Sequence, residues 1–504
     1  MEKRNLAALL VMLVVASATP ASLRAQAPIQ DAAAAALLAK HRAYVGWQLG
    51  DGTLRTLRVR GHVTDEQQKR VGEFTRVSAG VLYQETDTLV DEANATVRTG
   101  YTGNLFWRAG INGFPNPIYG DYAKYLATFT VLDQEGTTEL PATSLGNRTI
   151  DGKTLAVVRV TLGNGYPMDC YVDSDTGAYV RATIDPEGAY ETTLRVDSYA
   201  EVLPGKRMIS SYTRDGDKSH FWFDSFEPNV SVSDNALHPP DSTATWSFDS
   251  QAPFPVTLTR YRVYIDATVN GVKGRFILDT GASGIFLDTA FAERANVTET
   301  KGAGHARTLY GTRPTRVLRV DTMSFGGATL HNAIVYSQDF RDMFGDYRGL
   351  DRSGVNGLVG YDMFAGTIVK LDLYDSKIEI LDSSTDLGAQ PGLQLLVDLS
   401  RGTPVIPMTL NKSIPVSALL DTGDPGIVYV GTALARKRRL MMYLRGCGNI
   451  ESLAIGSIVY SNQTACVSSF FGSTSVLIGL DFLKRFDFVF DYPHGRIFLT
   501  PNRN

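Results

Sequence analysis

The 504-residue sequence has little cysteine, no strong charge of either sign and no long apolar run beyond its start. Three cysteines are too few for the disulfide framework of a small secreted scaffold. None stands in a Cys-x-x-Cys pair, which argues against a thioredoxin-type role. The 49 basic and 53 acidic residues leave a net charge of -4, with no field to gather nucleic acid or an anionic membrane. No basic run is interleaved with aromatics, so no nucleic-acid partner is expected. The seven histidines are scattered and no His-Glu-x-x-His occurs, so no metal and no other cofactor is expected. No Gly-x-Ser-x-Gly elbow and no phosphate-binding Gly-Lys-Ser/Thr loop is present. No segment reaches the ~18 uninterrupted apolar residues of a membrane-spanning helix.

What is there is ordinary for a folded chain: 43% apolar, 20% charged and 10% aromatic residues. Disordered, collagen-like and coiled-coil classes are excluded. The length suggests about three domains. Forty-seven glycines, with 23 Tyr and 23 Phe, lean towards β structure and tight turns, so a mainly β fold is predicted. The start, Glu2-Lys3-Arg4 followed by the apolar run Leu6 to Ala16 and small residues, has the layout of a secretory signal peptide. Residues 1–27 are read as that signal, with Ala25-Gln26-Ala27 one of several small-residue cleavage points. The alternative is an uncleaved anchor. No cysteine near the end of the run offers a lipid attachment site. The mature protein is therefore expected to be secreted or periplasmic, where disulfides persist.

Residues 28–245 read as an α+β domain. Asp31 before the alanine-rich run is a good helix N-cap. Short alternating segments follow, such as Leu54–Val63, Val157–Thr161 and Cys170–Val172, separated by turns like Asp151-Gly152 and Thr176-Gly177. The pattern predicts a curved antiparallel sheet on a helix. Residues 229–256 are rich in Ser, Asp and Pro and read as a linker, with the boundary near 245. The segments Ile150-Asp151-Gly152-Lys153, Val157-Val158-Arg159-Val160, Tyr171-Val172-Asp173 and Trp222-Phe223-Asp224 resemble the LolA/RseB-like half-barrel domains of bacterial envelope proteins. That resemblance implies a concave face holding a lipid or extended peptide ligand; the alternative is a supporting domain with no ligand.

Beyond the linker one unit is written twice. Phe276-Ile277-Leu278-Asp279-Thr280-Gly281 recurs as Ala418-Leu419-Leu420-Asp421-Thr422-Gly423, 142 residues on. Gly357-Leu358-Val359-Gly360-Tyr361-Asp362 recurs as Val476-Leu477-Ile478-Gly479-Leu480-Asp481, 119 residues on. Two motifs in the same order in each half imply two lobes about a pseudo-twofold axis, 246–385 and 386–504. In each, a buried strand leads into Asp-Thr-Gly, and Gly permits the tight turn that exposes the Asp. On the axis, Asp279 and Asp421 face each other and share one proton. One acts as general base on a water, the other as general acid. Thr280 and Thr422 can hydrogen-bond across the axis, with Gly281 and Gly423 completing the loops. Gly360 and Gly479 lie in segments that pack beneath each loop.

These paired motifs resemble the aspartic peptidases of the retropepsin and pepsin type over residues 257–502. The resemblance implies a bilobal all-β acid-protease fold, a monomer, and an extended peptide substrate gripped under a flap, with no covalent intermediate. The stretch from Asp279 to Phe325 is 12 residues longer than that from Asp421 to Ile455, so the dominant flap is expected in the first lobe, around Gly304, Tyr310 and Gly311. Pepsin-like sites often have Ser or Thr after the Gly; here Ala282 and Asp424 stand there. Ala282 cannot donate to the carboxylate. Asp424 either adds a charge that raises the dyad or turns away to cap an amide. A third Asp-Thr-Gly, Asp175 to Gly177, follows polar residues and reads as a hairpin turn. Cys447 and Cys466 are equidistant from a turn at Gly456, which sets them opposite each other for a disulfide and leaves Cys170 a free buried thiol. The alternative is three reduced core cysteines. The sequence thus reads as an aspartic endopeptidase; the rival is a non-catalytic envelope protein whose half-barrel binds lipid or peptide.

Overall fold

The computed structural model describes residues 30–90, 95–163, 166–216, 218–308, 311–340, 354–440, 446–468 and 475–502. The signal segment 1–27 and the flap residue Tyr310 lie outside them. The fold is mainly β. Among the described residues no helix is long and apolar enough to cross a membrane.

The first unit is built on a helix, Ala32–Val45. Asp31 caps it, accepting from Ala34 N at 2.7 Å, and its other oxygen accepts from Ser144 N at 2.7 Å. One side chain thus starts the helix and ties it to a sheet edge. The sheet has thirteen strands, all antiparallel to their neighbours, running from Pro115–Ile118 at one edge to Ala142–Ile150 at the other. A second helix, Gly120–Asp133, lies in sequence between those two edge strands. Both helices share one core with the sheet: Leu38, Leu132, Val158, Met168, Cys170 and Tyr179 are all buried there. Cys170 is a free thiol. The Asp175-Thr176-Gly177 segment is a tight turn, with Asp173 Oδ1 accepting from the amides of Asp175 and Thr176 at 2.9 and 3.1 Å.

The stretch 229–256 is more than a linker. Thr245–Phe248 pairs with Ala328 to His331 as an edge strand, and Phe254–Pro255 pairs with Lys377 and Ile378. The local reason is apolar alternation within the polar text: Trp246 packs at 6.2 Å from Phe325. The Ser/Pro content hid that pattern.

The duplicated half forms a nine-stranded sheet in the first lobe and a closed six-stranded barrel in the second. A separate six-stranded sheet draws on both lobes. Thr367–Asp372 of the first pairs with Phe486–Asp491 of the second, Ile368 opposite Asp491. One apolar core runs through both lobes, from Phe276 and Leu278 to Leu420 and Ile478. In the second lobe, Cys447–Ile455 and Ile458–Ser468 form a hairpin through Gly456, and a disulfide joins Cys447 to Cys466.

Candidate active site

Each Asp-Thr-Gly stands at the end of a strand that is covered by the second repeated motif. Leu278 of Val272–Leu278 pairs in parallel with Val359, and Asp421 of Ile414–Asp421 pairs in parallel with Gly479. Asp279 N donates to Val359 O at 2.9 Å. A Cβ on Gly360 would stand 2.3 Å from Ala282 O, and one on Gly479 would stand 2.4 Å from Gly426 O. The repeated glycines are therefore where the supporting strand touches the loop.

The two loops are locked to each other. Thr280 Oγ1 donates to Leu420 O at 2.7 Å, and Thr422 Oγ1 donates to Leu278 O at 2.7 Å. In return Thr280 N donates to Thr422 Oγ1 at 3.1 Å, and Thr422 N donates to Thr280 Oγ1 at 3.0 Å. Both threonines are buried, so these four bonds are shielded from water. The clasp presses each glycine against the opposite carboxylate. A Cβ on Gly281 would lie 2.4 Å from Asp421 Cγ, and one on Gly423 would lie 2.2 Å from Asp279 Cγ. Any side chain there would displace a carboxylate.

Asp279 and Asp421 are thereby set against each other across the two loops. Asp421 Oδ1 also accepts from Gly423 N at 2.8 Å and Asp424 N at 3.0 Å. Burial, then the charge of Asp279, then that of Asp424 push the Asp421 carboxyl well above its ordinary range. Burial also raises Asp279, opposed by the Asp421 carboxyl beside it, the nearby Arg262 guanidinium and the amides of Gly281 and Ala282. Two buried carboxyls set against each other in this way are arranged to share one proton.

Asp424 turns out to take both of the roles weighed for it. Its Oδ1 caps Gly426 N at 2.7 Å, and it remains buried close enough to raise Asp421. Burial raises Asp424 itself. Arg262, which the sequence reading passed over, is buried beside both Asp279 and Asp424, with Nη1 donating to Tyr261 O at 2.9 Å. It sits in an unremarkable run, Arg260-Tyr261-Arg262, and nothing in the text marks it as buried. Asp362 was also missed, although it closes the repeated motif; its Oδ2 accepts from Ile285 N at 3.3 Å, and burial pushes it up to about 6.

The first-lobe hairpin of Thr298–Thr308 and Gly311–Phe325 carries two of the flap candidates, with Gly304 opposite Thr315 and Gly311 opposite Thr308. The 15-residue strand Gly311–Phe325 exceeds both strands of the second-lobe hairpin, which have 9 and 11 residues.

Comparison with known proteins adds to this geometry. A family model described as aspartyl protease matches residues 265–363, which include Asp279 and Gly360. No curated protein matches the chain. Among solved structures, a DUF1329 family protein from Desulfovibrio piger is 14% identical, with 41% of this chain and 96% of that chain covered, at a TM-score of 0.30. The match places an aspartyl protease-like region at residues 265–363 of this chain.

Proposed function

We propose that this chain is an aspartic endopeptidase whose dyad is Asp279 and Asp421. The observation that carries the reading is the reciprocal threonine clasp, which holds two Asp-Thr-Gly loops so that each carboxylate lies against the opposite loop's glycine.

In this reading the ionised carboxylate takes a proton from a water, and the water oxygen attacks the peptide carbonyl. The protonated partner donates to the carbonyl oxygen. The tetrahedral intermediate then collapses as a proton passes to the leaving nitrogen. No bond forms between enzyme and substrate. The substrate is a peptide in extended conformation, held by backbone pairing beneath the first-lobe hairpin. The retropepsin and pepsin type is the pattern this site follows. The Cys447–Cys466 disulfide supports a secreted or periplasmic location, because such bonds persist in oxidising compartments.

The N-terminal unit is proposed to be of the half-barrel kind, with the helix Gly120–Asp133 packed against the sheet. The cavity lined by Phe129, Leu132, Leu194, Ile209 and Tyr212 has ≈ 10 Å³. That is space for about one water, so a lipid there would have to displace the helix Gly120–Asp133.

The test is incubation of the purified protein with a peptide library at several pH values, with and without pepstatin. Cleavage that pepstatin blocks supports the reading. No cleavage at any pH would favour the non-catalytic rival.

A further inference from the structure

The edge hairpin of the N-terminal sheet, Phe106–Ala109 and Pro115–Ile118, is docked on the first lobe at the motif beneath the Asp279 loop. Asn112, in the turn between these strands, is fully buried. Its Nδ2 donates to Ile334 O at 2.9 Å, and its Oδ1 accepts from Ile334 N at 2.7 Å. Its amide lies close enough to the Asp362 carboxylate to lower that group, against the burial that raises it. Asn116, fully buried as well, accepts from Tyr361 OH at 2.5 Å and donates to Ala365 O at 2.9 Å. The Arg108 guanidinium lies over the Tyr361 ring, 4.9 Å from its centroid.

The residues gripped by this hairpin are those that hold the catalytic loop. Tyr361 N donates to Ala282 O at 3.0 Å, and the Asp362 carboxylate accepts from Ile285 N at 3.3 Å. Ala282 and Ile285 flank the C-terminal side of the Asp279 turn. A chain of hydrogen bonds therefore runs from Asn116 of the first unit, through Tyr361, to that loop, with the Asp362 carboxylate beside Asn112 holding its far end.

The second lobe differs. Leu480 N and Asp481 N hold the matching loop, at 2.7 Å from Asp424 O and 3.0 Å from Gly426 O. The Asp481 side chain, however, is 56% exposed. The buttress from the N-terminal unit serves the first lobe's motif, where a buried carboxylate replaces an exposed one.

We propose that the hairpin 106–118 positions the Asp279 loop, with Asn112 and Asn116 as positioning residues, so that the N-terminal unit is a working part of the peptidase site. The proposal rests on the peptidase reading for its catalytic consequence, but not for its structural one. Each asparagine amide uses both its donor and its acceptor in a buried interface, so removing it leaves partners unsatisfied and loosens what they hold.

The experiment uses the full chain carrying Asn112→Ala, Asn116→Ala or Glu191→Gln. The last breaks a different contact between the first unit and the second lobe, the 2.6 Å ion pair to Lys437. Amide hydrogen exchange is followed at residues 280–286 and 422–428, alongside kcat and KM. Both asparagine variants should raise exchange at 280–286 by about tenfold while 422–428 stays unchanged. Their kcat should fall by about tenfold with KM altered by less than about twofold, as expected for a misplaced catalytic group. Glu191→Gln should change neither. Unchanged exchange at 280–286, or an equal rise in both loops, overturns the proposal. If the wild type cleaves no peptide, the peptidase reading falls while the exchange comparison still decides the buttress. Should Asn112→Ala fail to fold, Tyr361→Phe removes only the hydroxyl that Asn116 accepts and carries the same expectation.

Discussion

Asp424 stands three residues past Asp421 and keeps its carboxylate buried by capping Gly426 N at 2.7 Å. Its charge adds to burial and to Asp279 in raising Asp421. Removing that charge therefore lowers the pKa at which the dyad loses its last proton. Asp424→Asn keeps the cap acceptor and should move the alkaline limb of the pH–rate profile to lower pH, by about half a unit to one unit. An unmoved or alkaline-shifted limb would show that Asp424 does not act on the dyad. With both carboxyls raised and no hydroxyl donor at Ala282, the wild-type optimum should fall between about pH 4 and 7; a profile peaking below about pH 3 contradicts this. At this scale the two aspartates were readable because the chemistry is written locally: an apolar run, Asp, Thr, Gly, twice. Arg262, Asn112 and Asn116 were not, because what matters about them is a contact made across the fold. Asn112 meets Ile334 222 positions away.

The hairpin through Gly456 shows how much register an element can reveal. A turn fixes which residues are opposite, so two cysteines equidistant from it pair, and Cys447 faces Cys466 in the sheet. Their separation of 19 residues sets the loop that the disulfide closes. Reducing it should destabilise the second lobe by about 3 kcal/mol in the chain-entropy picture. Denaturant unfolding of the Cys447→Ser, Cys466→Ser double variant against the wild type measures this; equal midpoints would show the hairpin does not need it. The strand Thr245–Phe248 was less legible. Its apolar positions, Trp246 and Phe248, are too few to stand out among Ser, Asp and Pro, and only the waiting edge at Ala328–His331 makes it a strand.

At the scale of the whole molecule, the lobes are one folded body. Strands of both halves share a sheet, and one core crosses between them. Duplication was legible because both motifs recur in order. The docking of the N-terminal unit was not, since no local pattern encodes a surface match. Two carboxyls at or near that docking surface, Asp362 and Asp398, are each pushed up to about 6 by burial. A carboxyl raised on folding favours the native state below its unfolded pKa and loses that contribution as pH rises through about 6. Thermal unfolding should therefore come at higher temperature near pH 5 than near pH 7.5, with the difference reduced in Asp362→Asn and Asp398→Asn. A wild type equally stable at both would mean these groups are not held neutral in the fold.

Peptide hydrolysis by the wild type, Asp279→Asn and Asp421→Asn, assayed side by side near pH 5, asks directly whether the two aspartates work as one unit. Neither carboxylate can act alone, so each substitution should lower the rate by at least 10²–10⁴-fold, on the order of a lost acid–base partner, while the fold is retained. Either variant keeping more than about 1% of the wild-type rate would contradict a shared dyad.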